Sequence, residues 1–281
     1  MGVITLKTKY LAFLGPTGTN TEQAAIKYNP NSKLEMCSSI NEIFSMVENK
    51  KTYEGIVPIE NSIDGPVTDT LDLLIHESNL SIQKEIILNI SHCLITNKNS
   101  SNSQHFSEIF SHPQALGQCK KYLLKKYPNS KLTASMSTSE AVKFVSHCAE
   151  NIAAIGTDIS AEIYDGHIVE KNIQDNMNNS TRFIVLSHEK TTPSGNDKTS
   201  LCFSFSQDAP GSLYKVLGEF AKREINLTKI ESRPSKNTLG QYVFLIDLEG
   251  HQHEKLIQET ITAIKKLVSE IKIFGSYPTY I

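Results

Sequence analysis

Two short stretches of the chain set acid, amide, hydroxyl and guanidinium groups side by side at the edge of an apolar run. In GIVPIENSIDGPVTDT (55–70) a strand-like run ends in Glu60, Asn61 and Ser62, and Gly65-Pro66 restarts the chain toward a helix. In NSTRFIVL (179–186) Ser180, Thr181 and Arg182 stand just before another apolar run. An arginine there can clamp a carboxylate through two parallel hydrogen bonds. A threonine hydroxyl can donate its proton to a departing hydroxyl. The same residue types also make ordinary turns and strand starts, so neither stretch is diagnostic alone.

Three places carry a Ser or Thr followed three residues later by Glu or Gln: Thr19 to Glu22, Ser111 to Gln114 and Ser137 to Glu140. This spacing caps a helix N-terminus reciprocally. In an open α/β sheet such ends gather at the carboxyl ends of the strands, and their free N–H groups favour anions. Several of them facing one cleft would suit a di- or tricarboxylate, although capping boxes also occur where nothing binds. The loop GPTGTN (15–20) lacks both the GxGxxG pattern and the lysine of a phosphate-binding loop, which disfavours a nucleotide.

These groups need a scaffold, and the chain reads as strands alternating with amphipathic helices over 10–186. Strands are expected at 10–15, 55–60, 108–111, 151–156 and 182–186, and helices at 20–28, 68–77 and 113–126. Residues 86–96, IILNISHCLIT, alternate as one long strand, a crossover between two lobes. Residues 187–198 are polar, with Pro and Gly, and read as a linker. Beyond them strands at 199–205, 226–233, 241–250 and 271–277 and helices at about 208–223 and 253–269 give the order βαββαβ, a ferredoxin-like module. In it Asp208 is expected to cap the first helix, with Pro210 in its first turn. The open edges of such a sheet favour pairing with a second copy.

The chain has 281 residues, 39% of them hydrophobic, which suits roughly two domains. A net charge of −2 offers no basic field for nucleic acid or an anionic membrane. The lysines at 120, 121, 125 and 126 cluster at helical spacing and read as a solvated face. No apolar run approaches a membrane span, and the first residues, MGVITLKTKY, are too short and polar for a signal peptide. The five cysteines are odd in number and form no CxxC, which reads as reduced thiols of a cytoplasmic protein. No HExxH or Cys/His cluster points to a metal; His251 and His253 sit in a polar turn.

Taken together, FLGPTGTNTEQAA (13–25), GIVPIENSIDGPVTDTLDLL (55–74), SHPQALGQC (111–119), STSEAV (137–142), AAIG (153–156) and NSTRF (179–183) resemble the prephenate dehydratase family, in order and over nearly the whole chain. DAPGSLYKVLGEFAKREINLTKIESRP (208–234) is similar to that family's ACT domain. Lacking a preceding helical domain, the chain resembles the monofunctional form without chorismate mutase. The resemblance implies an α/β fold with a two-lobed catalytic region at 8–188, similar to amino-acid binding proteins, whose second lobe is about 88–175. An ACT module at 199–281 would follow. The active site would lie between the lobes.

By resemblance Thr181, Glu60 and Arg182 are the catalytic residues, and Thr17, Thr19, Asn20, Asn61, Ser111, Gln118 and Phe183 bind substrate. Some family members carry a Glu where Met136 stands here. The reaction implied is loss of the ring hydroxyl and a carboxylate from prephenate, giving phenylpyruvate. Aromatisation drives it, so neither cofactor nor metal is expected. Either Thr181 or a Glu60 of raised pKa would be the proton donor, with Arg182 and helix ends positioning carboxylates. The ACT module would bind L-phenylalanine as a feedback inhibitor through Gly211, Leu213, Asn226, Leu227, Glu231, Ser232 and Arg233 in a homodimer or homotetramer. Ser212 stands where the family usually has Ala. The rival readings are an arogenate dehydratase, a non-catalytic amino-acid-binding regulator, and an ACT module that only holds a dimer together. The residues alone stop at an α/β carboxylate-binding protein with a regulatory module.

Overall fold

The computed structural model describes residues 10–99, 105–148, 151–207, 209–236 and 240–279. Their contacts form two compact units, one from residues 1–43, 56–67 and 87–183 and the other from 44–55, 68–86 and 184–281, counting described residues only. In chain order come β1 (Tyr10–Leu14), α1 (Asn20–Tyr28), β2 (Lys33–Cys37), α2 (Ile40–Glu48), β3 (Glu54–Asn61) and β4 (Gly65–Pro66). Next are α3 (Thr68–Asp72), which runs on as a π turn over Leu73–Glu77, then β5 (Ser81–Asn89), β6 (Cys93–Asn97) and β7 (Glu108–Ser111). There follow α4 (Pro113–Gln118), α5 (Lys120–Lys126), β8 (Lys131–Ala134), α6 (Thr138–Ser146), β9 (Ile152–Gly156), α7 (Asp158–Ile163), β10 (Gly166–Lys171) and β11 (Ser180–Ser187).

Two sheets result, one in the order β2-β1-β3-β11-β5 with β4 beside β3, the other β10-β6-β9-β7-β8. The second sheet lies wholly in the first unit and is apolar on both faces. Leu94, Ala153 and Ile155 pack with Ala115 of α4, Leu123 of α5 and Cys119 between the two helices. Their strand neighbours Cys93, Ile95, Ile152 and Ala154 pack with Ala141, Val142 and Val145 of α6. A strand covered on both faces reads as a continuous apolar run, which is why NIAAIG is legible in the sequence.

The long strand expected at 86–96 is two strands. β5 stops at Asn89, the Ile90 N–H donates to the Asn179 carbonyl at 2.8 Å, and β6 starts at Cys93 in the other sheet. The apolar–polar alternation continues through the crossing, so periodicity cannot register the change of sheet. The helix expected at 113–126 breaks at Cys119, whose φ of −111° and ψ of 14° leave the helical region. Of the strands that sequence reasoning missed, β2, β8 and β10 end a sheet and the two-residue β4 pairs only with β3. Edge strands bury little side chain and carry a weak pattern. Among the described residues, no helix is long and apolar enough to cross a membrane.

The second unit holds β12 (Asp197–Ser204), α8 (Ser212–Ala221), β13 (Leu227–Pro234), β14 (Tyr242–Glu249), α9 (Lys255–Ile264) and β15 (Glu270–Pro278). The order βαββαβ folds into an antiparallel sheet β13-β14-β12-β15. Leu201 and Phe203 of β12 pack with Val216 and Phe220 of α8 and Ile257, Ile261 and Ile264 of α9. Asp208, the expected cap of the first helix, lies outside the described residues; α8 starts at Ser212 with Gly211 at the N-cap. In this same unit Lys198 Nζ pairs with Glu85 Oε2 at 2.9 Å, and Lys272 Nζ donates to the Ser78 carbonyl at 2.7 Å.

Candidate active site

The first unit contains a cavity of about 370 Å³, lined among others by Thr19, Asn20, Asn61, His92, Gln114, Gln118, Ser137, Thr138, Thr181 and Phe183. Among the described residues that line it, none is Lys, Arg, Asp or Glu. The wall is built from amides, hydroxyls, two imidazoles and apolar groups.

Local chemistry explains how each element delivers its residue. The Thr19 hydroxyl caps α1 by accepting from the Glu22 N–H at 3.4 Å, while Glu22 accepts from the Gly18 N–H at 2.6 Å. Gly18 has φ +88°, and a Cβ there would come within 2.7 Å of Ser139 Oγ; only glycine turns the chain at this point. Ser137 caps α6 by accepting from the Glu140 N–H at 3.0 Å. Both caps follow the expected pattern, and both helix starts open on the cavity.

The third does not. The Ser111 side chain is fully buried and donates to the Ile155 carbonyl at 2.7 Å. His112 caps α4 instead, its Nδ1 accepting from the Gln114 N–H at 3.3 Å. Ser111 therefore braces β7 against β9 and is not part of the cavity wall. Thr17 is also off the wall; its carbonyl accepts from Ser139 Oγ and, at 3.0 Å, from the Tyr164 hydroxyl.

Strand alternation sorts the TRF residues. Thr181 and Phe183 line the cavity, and Arg182 between them points to the opposite face of β11. There its guanidinium pairs with Glu60 Oε1 at 2.8 Å. The expected carboxylate clamp and the rival acid thus meet each other, away from the cavity, in a pair whose arginine side chain is 8% exposed. Such a pair adds little net stability, because desolvating two charges offsets their attraction.

Thr181 stands at one end of a chain of amides. Asn61 Nδ2 donates to Thr181 Oγ1 at 2.9 Å and to Asn179 Oδ1 at 2.8 Å. Asn179 Nδ2 donates to Gln118 Oε1 at 2.8 Å, and His92 Nε2 lies 2.7 Å from the same oxygen. Asp64 Oδ2 accepts from the side-chain amides of both Gln114 and Gln118 at 2.5 Å. Burial lowers the His92 pKa against the opposing pull of Gln118 and Asp64, so the ring is neutral near pH 7. Asn179 and Asp64 fall inside stretches singled out in the sequence for other residues, and Gln114, expected as the capping partner of Ser111, lines the cavity. His92 was passed over as one polar position of a strand-like run, and no local signal marks it. Among the described residues no three His, Cys, Asp or Glu groups gather as a metal site.

In the second unit, Gly211 has φ +82° and opens α8, and Leu213 and Leu227 pack on its core. Asn226 donates to Glu249 Oε1 at 2.9 Å. Glu231 is paired with Lys229 at 3.4 Å and Arg233 at 3.3 Å, and Arg233 reaches Asp72 at 3.4 Å. Ser232 lies opposite Phe244 in the β13–β14 ladder.

The family model for prephenate dehydratase matches residues 11–191, and that for the ACT domain matches 203–266. A prephenate dehydratase of Methanocaldococcus jannaschii is 40% identical over 97% of this chain and 99% of its own. The crystal structure of a prephenate dehydratase from Arthrobacter aurescens in complex with L-Phe superposes with a TM-score of 0.88 at 29% identity, covering 96% of this chain and 90% of that one. GqqA, described as a novel type of quorum-quenching acylase, superposes with a TM-score of 0.86 at 25% identity over 97% of this chain and 98% of its own.

Proposed function

The chain belongs to the prephenate dehydratase family, and from that premise we propose that it converts prephenate to phenylpyruvate as a carbon–oxygen lyase, under feedback control by phenylalanine. The C–C bond to the ring carboxylate breaks and carbon dioxide leaves. The released electron pair completes the aromatic ring as the C–O bond at the opposite ring carbon breaks. The departing oxygen needs a proton to leave as water.

The observation that carries this reading is the state of Thr181. Its Oγ1 accepts from Asn61, so its own proton remains to be given, and the residue lines the cavity. A threonine hydroxyl ionises far above neutrality, so its role is to hydrogen-bond the leaving oxygen as charge develops, with solvent restoring the proton balance. A wall without Lys or Arg suits decarboxylation, because an ion pair would stabilise the carboxylate that must disperse its charge. The retained side-chain carboxylate is assigned to the starts of α1 and α6, with Asn20 and Thr138 beside it. Glu60 and Arg182 are supporting residues in this reading.

A wall without Asp or Glu also favours the keto substrate, since the ammonium of arogenate would find no counter-ion on it. An acylase nucleophile needs a base to take its proton; Thr181 instead faces an amide donor, and the His92 ring meets Gln118. The module at 199–281 is assigned to phenylalanine, a reading supported by the ACT match and the L-Phe complex of the relative. Pairing through its open sheet edges would give a homodimer or homotetramer, and five free thiols suit the cytoplasm.

The test is turnover of prephenate and arogenate in parallel by the full-length chain, with and without phenylalanine. Phenylpyruvate formation at a kcat/KM at least tenfold above that for arogenate, reduced by phenylalanine, supports the reading. Leu213→Ala should weaken inhibition without altering uninhibited turnover. Equal inhibition of that variant would move the effector to the catalytic cavity.

A further inference from the structure

We infer that His92 is a positioning residue that steadies the Thr181 hydroxyl through three intervening amides. The inference rests on the reading of Thr181 as proton donor to the leaving group.

The two ends of the amide chain are fixed by groups that cannot reverse. At one end Asp64 Oδ2 is a carboxylate and only accepts, so the Gln118 atom 2.5 Å from it is Nε2. Gln118 Oε1 is then an acceptor, and the imidazole nitrogen 2.7 Å away must be Nε2–H. At the other end the backbone N–H groups of Ile63 and Asp64 donate to Asn61 Oδ1 at 2.9 and 3.0 Å. The opposite atom of Asn61 is therefore its amide nitrogen, with one hydrogen for Asn179 and one for Thr181. Amide orientations that are usually a choice of interpretation are here forced by their neighbours.

Every donor in the chain is then fixed, with two converging on Gln118 Oε1 and two diverging from Asn61 Nδ2. His92 and Asn179 donate to Gln118, Asn61 donates to Asn179, and Asn61 donates to Thr181. Thr181 Oγ1 has thereby spent a lone pair, and its hydrogen cannot turn back toward Asn61. It is left to point into the cavity, where a departing hydroxyl can accept it.

His92 also lines the cavity, but its one side-chain hydrogen bond is spent on this chain. The residue is 4% exposed, yet Nδ1 has no hydrogen-bond partner. An imidazole retained for its own hydrogen bonding would satisfy both nitrogens. This one spends only Nε2–H, on the oxygen that anchors Asn179. Its backbone is tied as well, with the N–H donating to Gln174 Oε1 at 3.0 Å. Without His92, Gln118 Oε1 keeps Asn179 alone and the amide is free to swing on Asp64. The position of Asn61, and with it the aim of Thr181, then loosens.

The experiment measures kcat and KM for prephenate in the full chain carrying His92→Leu or His92→Gln, each with Thr181 intact and with Thr181→Val. Leu removes the donor, while Gln can offer an amide N–H to the same oxygen. His92→Leu should lower kcat roughly 10- to 100-fold, the loss expected from misplacing a reacting group, with KM unchanged within about twofold. His92→Gln should recover most of the loss. In the Thr181→Val background His92→Leu should have almost no further effect, because both act through one hydroxyl. Equal losses for Leu and Gln would reduce His92 to packing and overturn the proposal, as would a loss confined to KM or one undiminished in the Thr181→Val background. A wild-type kcat for Thr181→Val alone would instead overturn the assignment of Thr181. A measurement on the unmutated protein guards against misfolded variants. With ¹⁵N-labelled histidine, NMR at neutral pH should show His92 protonated at Nε2 and bare at Nδ1; the opposite tautomer would refute the chain of donors.

Discussion

Replacing Thr181 by valine removes one oxygen and keeps the branched shape that a strand favours. The structural cost is small. Asn61 loses one of two acceptors but keeps Asn179 at 2.8 Å, and Thr181 is half-buried, so water can take the vacated place. One neutral hydrogen bond contributes about 1 kcal/mol, well within what the fold tolerates. The catalytic cost is larger. Positioned proton donors contribute about 10²- to 10⁴-fold, which is about 2.7–5.4 kcal/mol of barrier at 1.36 kcal/mol per decade. The expected phenotype is a protein with nearly unchanged unfolding free energy, a KM within about threefold of wild type and a kcat down by that factor. Thr181→Ser keeps the hydroxyl with a freer rotor and should lose no more than about tenfold. The assay is phenylpyruvate formation under saturating prephenate, beside urea unfolding of the same samples. A kcat for Thr181→Val within about threefold of wild type, far below the donor range, would refute the reasoning. Glu60→Gln then becomes the decisive variant, although its carboxylate is committed to Arg182.

Glu85→Ala should destabilise the second unit by about 3–5 kcal/mol in urea unfolding, because it strands the half-buried Lys198 ammonium against the site of a buried carboxylate; a loss below about 1 kcal/mol, the range of an exposed pair, would show that solvent reaches the pair. Burial holds the His92 and His251 imidazoles below their ordinary value of about 6.5. The unfolded chain binds these protons at higher pH than the folded one, so stability should be full above about pH 6.5 and fall as the pH drops below it. His92→Gln should flatten that slope. Burial pushes the thiols of Cys37 and Cys202 up to about 11 and that of Cys119 up to about 12. A thiol reagent at pH 8 should therefore label half-buried Cys148 first, and the others only on unfolding.

The sequence by itself determined the interior elements and which groups are available. A run apolar on every residue has to be covered on both faces, so NIAAIG could only be an interior strand. The βαββαβ order of the last 80 or so residues follows from periods of 2 and 3.6 that local pattern carries. Thr19 and Ser137 were legible as caps because a cap and its N–H are three residues apart. Tertiary structure decided which way neighbours face and which distant residues meet. Adjacent Thr181 and Arg182 must point to opposite sides of a strand, and the sequence cannot say which side holds the cavity. It lies with Thr181, and Arg182 goes to Glu60. Ser111 and His112 compete for one helix start, and burial against the Ile155 carbonyl took Ser111 out of the contest. The amide chain joins Asn61 to Asn179 across 118 positions and His92 to Gln118 across 26. Hydrogen bonds of that kind leave no periodic trace, because they depend on where two sheets bring their strand ends and not on the order of residues along either one.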